Sequence, residues 1–176
     1  FNEPADTVIF QIKLEEYTDD IRFEYFDVAS GAPDGVAFSP SGELFVSSVD
    51  GDKILRFDNA QTFTANHVRS HDGGLTDPAY MTLGDGVDGS YGDLNGDGVD
   101  DLLVSSFATD EVFAYNGSSP GTALNDGIQI ATFVDAGAGG LDGPRGVAYS
   151  PSSAASHDLY VASFNTDQVL RYSGAS

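Results

Sequence analysis

Pro33-Asp34-Gly35-Val36-Ala37-Phe38-Ser39-Pro40-Ser41-Gly42-Glu43-Leu44-Phe45-Val46-Ser47-Ser48-Val49-Asp50-Gly51-Asp52-Lys53-Ile54-Leu55-Arg56-Phe57 holds three short apolar runs separated by turn residues. Each run is too short for a stable helix and is rich in Val, Leu, Ile and Phe. Pro, Gly, Asp and Ser bound the runs, as they bound strands. The same order returns at Pro144–Tyr172 and, more loosely, at Pro78–Tyr115. Three strands per unit follow. Strand a is Pro33–Phe38, Pro78–Leu83 and Pro144–Tyr149. Strand b is Leu44–Ser48, Leu102–Ser106 and Leu159–Ser163. Strand c starts from an aspartate, at Asp52–Phe57, Asp110–Tyr115 and Asp167–Tyr172.

A further extended stretch precedes each unit, at Ile21–Val28, His67–Ser70 and Ile128–Val134, and supplies strand d. Ile21-Arg22-Phe23-Glu24-Tyr25-Phe26 alternates apolar and polar side chains, as an outer strand with one wet face does. A fourth c-like copy lies at Asp6-Thr7-Val8-Ile9-Phe10. Pro33 and Pro78 are 45 positions apart, and no segment has helical periodicity. Units of ~40–50 residues with four short strands mark β-propeller blades. The predicted fold is therefore all-β, a single domain of about three four-stranded propeller-type blades plus partial end blades. The expected divisions are a partial blade at 1–30 and blades at about 31–72, 73–135 and 136–176. A β-sandwich with Greek-key turns is the alternative. The chain reads c-d, then a-b-c-d twice, then a-b-c. It is thus expected to be a segment of a larger ring or to be completed by another copy, because open strand edges invite association.

The pattern P-x-G-V-A-F-S-P-S-G-E-L-F-V-S-S-x-x-x-D-x-I-L-R-F resembles the propeller repeat of the NHL, SMP-30 and streptogramin-lyase families. That resemblance implies a six-bladed ring, for which this chain is too short. It also implies a metal-assisted lyase or a metal-dependent lactonase, whose catalytic groups converge on the central channel from several blades. No residue here matches such a catalytic group.

The second informative stretch is Gly92-Asp93-Leu94-Asn95-Gly96-Asp97-Gly98-Val99-Asp100-Asp101. Oxygen-bearing side chains recur at alternate positions, and a glycine follows the third. Such a loop wraps oxygens around a hard cation. Asp93, Asn95 and Asp97 would offer side-chain oxygens, Val99 its carbonyl, and Asp101 would close the shell directly or through water. An EF-hand requires a bidentate Glu at position twelve, which is Val104 here. A dockerin requires an acid there and a helix after it. The loop instead resembles the FG-GAP calcium loop of integrin-type propellers, which runs directly into a strand. The expected cofactor is Ca2+, in a structural role. Asp85 and Asp88 form a possible second metal cluster, in a stretch that also reads as a glycine-rich turn.

Lys+Arg is 7 against Asp+Glu at 28, a formal charge of −21. Nucleic acid and anionic membranes are excluded as expected partners, since both need clustered Lys and Arg. No apolar run approaches the ~20 residues of a membrane helix. Cysteine is absent, so there are no disulfides or thiolate metal sites. The chain begins at Phe1, which suits a processed or excised chain. His67, His71 and His157 read as surface residues. Asp52, Asp110 and Asp167 repeat at equivalent turns and read as turn caps that accept backbone N–H bonds. Glu15-Glu16 and Asp19-Asp20 read as solvated loop charge. Asn116-Gly117-Ser118 is a glycosylation triplet on a turn, of a kind common by chance. No nucleophile elbow, zincin motif or P-loop occurs.

The expected function is a calcium-stabilised extracellular or cell-surface binding and scaffold module. Its expected partner is a protein, a glycan or another copy of itself through the terminal strands. No catalytic residue is assigned, and the reading leans away from an enzyme. A propeller-type lyase or lactonase is the first alternative. A self-assembling filament or surface-layer subunit is the second.

Overall fold

The computed structural model describes residues 8–13, 22–27, 31–58, 63–68, 72–83, 92–117, 127–150 and 158–173. Among them lie thirteen β-strands, three single-turn 3-10 segments and no α-helix. β1 (Val8–Lys13) and β2 (Arg22–Asp27) form an antiparallel pair. β3 (Pro33–Phe38), β4 (Leu44–Ser48), β5 (Lys53–Phe57) and β6 (Phe63–Val68) form a four-stranded sheet in sequence order. β7 (Pro78–Leu83), β8 (Leu102–Ser106), β9 (Glu111–Tyr115) and β10 (Gln129–Val134) form a second. β11 (Pro144–Tyr149), β12 (Leu159–Ser163) and β13 (Gln168–Tyr172) form a three-stranded third. All neighbours in these sheets are antiparallel, as in propeller-type blades.

The innermost and second strands lie where the sequence pattern puts them. The fourth strand of the first sheet does not. It was expected at His67–Ser70, but β6 begins at Phe63 and pairs Phe57 with Phe63 and Ile54 with Val68. An antiparallel partner of β5 must run the length of β5, and the polar Thr64 and Asn66 hide that strand in the pattern. This shift also corrects the reading of His67 as a surface residue. His67 is buried, its ring meets Phe45 edge-on at 4.7 Å, and its Nε2–H donates to the Asn116 carbonyl at 2.9 Å. Asp6, His71 and His157 lie outside the described residues.

The sheets stack face to face. Phe45, Ile54 and Val68 of the first share a core with Met81, Leu83, Leu102 and Val104 of the second. Leu103, Val112 and Val134 of the second share another with Leu159 and Val161 of the third. Successive residues of β8 thus serve opposite neighbours, because side chains alternate across a strand. That is why β8 is buried at every position; β4 is buried throughout as well, with Leu44 and Val46 clustered with Leu55 and Phe57. Each of the apolar side chains among them contributes about 1.5–3 kcal/mol by leaving water.

The innermost strands carry one irregularity in common. Their pairing slips between Pro33 and Val36, between Pro78 and Met81, and between Pro144 and Val147. Two residues there oppose one on the second strand, which is a β-bulge. A bulge strands a backbone amide, and a serine hydroxyl satisfies it. Ser47 Oγ accepts the Gly35 N–H at 2.7 Å and donates to the Ala79 carbonyl of the next sheet at 2.7 Å. Ser105 Oγ repeats the arrangement, accepting the Tyr80 N–H at 3.0 Å and donating to the Arg145 carbonyl at 2.7 Å. The backbones come so close that a Cβ at Gly35 would overlap the Ala79 carbonyl. The third sheet has Ala162 at this position.

Ser105→Ala leaves a part-buried amide and a part-buried carbonyl without their hydroxyl, a loss of about 1–3 kcal/mol. Urea unfolding should show that loss with an unchanged slope. A change within about 0.5 kcal/mol, the range of an ordinary surface substitution, contradicts the role.

Candidate metal loop and cross-blade contacts

The Asp93–Asp101 loop fills the connection between β7 and β8 and ends on β8. Its polar groups are ordered around its own backbone. Asp93 Oδ1 accepts the N–H groups of Gly96 at 2.7 Å and Asp97 at 2.9 Å, and Asp93 Oδ2 accepts that of Gly98 at 2.7 Å. Asn95 Oδ1 accepts the Asp97 N–H at 2.9 Å, and Asp97 Oδ1 accepts the Val99 N–H at 3.0 Å. Gly98 follows the third oxygen residue with φ 85°, a conformation that only glycine adopts without strain. Asp93 is half-buried, whereas Asn95 and Asp97 are exposed.

Asp101 fastens the loop to the blade. It is 1% exposed. Its Oδ2 accepts the Leu94 N–H at 2.7 Å and its Oδ1 the Gly117 N–H at 3.3 Å. Burial pushes its carboxyl up to about 6; the two N–H bonds pull down, and the charges of Asp97 and Asp93 add to the rise. Tyr149, half-buried nearby, has its phenol ionisation pushed up by desolvation and by the Asp101 and Asp100 charges.

The position of Asp101 is itself a repeat. Glu43 and Asp158 also stand immediately before a second strand. Glu43 faces Arg56 at 3.9 Å, and Asp158 pairs with Arg171 at 2.6 Å. Arg56 and Arg171 lie opposite Phe45 and Tyr160, and the same place opposite Leu103 is Ala114. Asp101 therefore has no arginine across the sheet, and its oxygens turn to the loop and to Gly117.

Sequence reasoning missed Asn116 and Gly117 as loop partners. Asn116 bonds Asn95 and donates to Asp97 Oδ2 at 3.4 Å, so the amide of the glycosylation triplet is engaged with the loop. A Cβ at Gly117 would overlap the Asp100 carbonyl, so that close approach requires glycine. Neither role shows in the local pattern, because the partners are some twenty positions away. Asp85 and Asp88 lie outside the described residues. Among the described residues no three acidic or histidine side chains form a converged metal-binding group. The donors of the loop are all oxygens, which fits a hard cation.

Two of the three repeated turn aspartates accept backbone N–H bonds, and from the next blade. Asp52 Oδ1 accepts the Asp77 N–H at 2.8 Å, and Asp110 Oδ1 accepts the Gly143 N–H at 2.7 Å. Asp52, Asp110 and Asp167 all adopt positive φ, near 47°, 60° and 56°. Asp tolerates that region better than most residues. Where the first strands meet, Arg145 lies 4.9 Å from the ring centres of Phe107 and Phe164, and its Nη1 is 3.5 Å from Asp34 Oδ2. These contacts tie three sheets together, and no local pattern of residues marks them.

The chain is similar in fold to several solved structures. With a virginiamycin B lyase from Staphylococcus aureus bound to quinupristin the TM-score is 0.58 at 13% identity, covering 96% of this chain and 49% of that one. With the nidogen/laminin complex it is 0.57 at 12% identity, covering 94% and 58%. With an auxiliary nutrient binding protein from Bacteroides ovatus it is 0.56 at 12% identity, covering 96% and 42%. This chain thus spans about half the length of such structures. No protein-family model matches, and no curated protein matches. Fold and comparisons together define an all-β protein of propeller-type blades. Among the described residues no helix is long and apolar enough to cross a membrane.

In chelator, the folded Asp101 carboxyl ionises near 6 and the unfolded one near 3.8, so the folded state binds more protons between those values. Its contribution is full below the lower value and is lost as pH rises through the upper one. Urea unfolding at pH 4 and pH 7 should show wild type losing stability relative to Asp101→Asn over that window. A constant difference contradicts the assignment.

Proposed function

We propose that this chain is a calcium-stabilised binding and scaffold module of propeller-type blades, working outside the cell or at its surface. Its loops face a protein or glycan partner. The observation that carries this reading is the anchoring of the Asp93–Asp101 loop. A buried carboxylate, Asp101, holds the Leu94 N–H within the loop and the Gly117 N–H beyond β9. Ca2+ at Asp93, Asn95, Asp97, the Val99 carbonyl and Asp101 would neutralise that cluster and brace a long connection. The likeness of the loop to the FG-GAP type supports the same ion. An acidic surface at −21 suits a medium rich in cations.

Binding proteins and a lyase share this fold, so the fold alone does not choose between them. The lyase or lactonase reading requires a second cation held by residues of different blades. The loop site alone supports the module.

Calcium saturating the loop at about a hundred times its Kd adds about 2.7 kcal/mol to stability. Calorimetry with calcium and then with chelator should show the melting temperature fall by several degrees, and Asp97→Ala should abolish the difference. An unchanged melt with chelator removes the calcium from the account.

A further inference from the structure

The chain contains two Asn-Gly dipeptides, Asn95-Gly96 and Asn116-Gly117, and the fold sets them against each other. Asn95 Nδ2 donates to Asn116 Oδ1, so one side-chain amide rests on the other. Asn-Gly is the dipeptide most prone to lose its side-chain amide to the backbone. Its glycine has no Cβ to keep the nitrogen away from the asparagine Cγ. The two dipeptides share that chemistry and differ in what the structure puts around them.

Asn116-Gly117 is held at both residues. The Asn116 N–H donates to the Ile128 carbonyl at 2.9 Å, and the Asn116 carbonyl accepts the Gly127 N–H at 3.0 Å and the His67 Nε2–H at 2.9 Å. Gly117 is buried, its N–H donates to Asp101 Oδ1, and a Cβ on it would overlap the Asp100 carbonyl. Its nitrogen cannot swing toward the Asn116 Cγ unless the chain after β9 comes away from its neighbours. Asn95 and Gly96, by contrast, are exposed. Gly96 has φ 78°, and nothing lies within 4 Å of where its Cβ would be. Its N–H makes one solvent-exposed bond, to Asp93 Oδ1 at 2.7 Å. Asn95 Oδ1 accepts the Asp97 N–H at 2.9 Å. A donor there polarises Cγ and stabilises the negative charge that Oδ1 takes up under nucleophilic attack.

We propose that Asn95 deamidates spontaneously in the folded chain while Asn116 is shielded, and that this modification resets the charge of the loop. The Gly96 nitrogen bonds to Asn95 Cγ, the Cγ–Nδ2 bond breaks, and Nδ2 leaves as ammonia with the proton that Gly96 gives up. Water then opens the cyclic imide. Opening at the side-chain carbonyl gives aspartate. Opening at the backbone carbonyl gives isoaspartate, which carries one more carbon in the main chain. Nothing is oxidised or reduced, and water is the only co-reactant. The aspartate product puts carboxylates at three alternate positions, 93, 95 and 97, and adds one negative charge. This consequence rests on the calcium reading, in which more ligand charge tightens the ion. The isoaspartate product breaks the alternate spacing and loosens it.

Peptide mapping by mass spectrometry tests it, on chain held in mildly alkaline buffer with chelator, either folded or in urea. In urea the two dipeptides should deamidate at similar rates, because no structure then separates them. In the folded chain Asn95 should keep most of its urea rate. Asn116 should fall ~10-fold or more below its own, since it reacts only when its surroundings open. Folded rates that match each other, or an Asn95 slowed as much as Asn116, overturn the proposal. Titration calorimetry then reads the consequence. Asn95→Asp should bind calcium more tightly than wild type, and equal or weaker binding contradicts the charge argument. Absence of calcium binding in both chains fails the calcium reading alone, and the two folded rates still decide the modification.

Discussion

The structure depends on a small hydroxyl placed where two backbones nearly touch. Each innermost strand bulges at the residues after its proline, and the bulge turns an amide toward the second strand. The neighbouring sheet brings a carbonyl to the same point. A serine side chain is short enough to fit and is both acceptor and donor. Ser47 and Ser105 do this at two successive junctions. An apolar residue would leave both backbone groups buried and unmet, and a longer polar one would not fit. The stacking of the apolar faces follows from that spacing, and the turn aspartates fasten the outer side of each junction.

The metal loop draws on the same repeat. An acid precedes the second strand in every sheet, and in two sheets an arginine answers it. Replacing that arginine by Ala114 leaves Asp101 for the loop. A carboxylate that is buried and near other acids is poorly placed to ionise alone, despite the two amides that hold it, and a cation would reverse that balance. The inserted loop is thus a variation on one blade position.

Much of the fold was legible in the sequence because the strands are short and sharply bounded. Prolines open the first strands, paired small residues close the second, and aspartates open the third. β6 was misplaced because Thr64 and Asn66 break its apolar pattern, and His67 was misread with it. The loop showed in the sequence because its oxygens are close together along the chain. Its partners Asn116 and Gly117 did not, since only the folded sheet brings them near. The serines were visible as small residues, but their task belongs to the junction between sheets. Likewise the aspartates were read as acceptors, while their donors lie 25 and 33 positions away.

The direct test of this account is hydrogen exchange at four amides, those of Gly35, Tyr80, Asp77 and Gly143. Each donates to a Ser or Asp side chain. If the side chains hold the blades together, these amides exchange as slowly as those of β8, in the global unfolding class. Exchange at the rate of open loops would contradict the account.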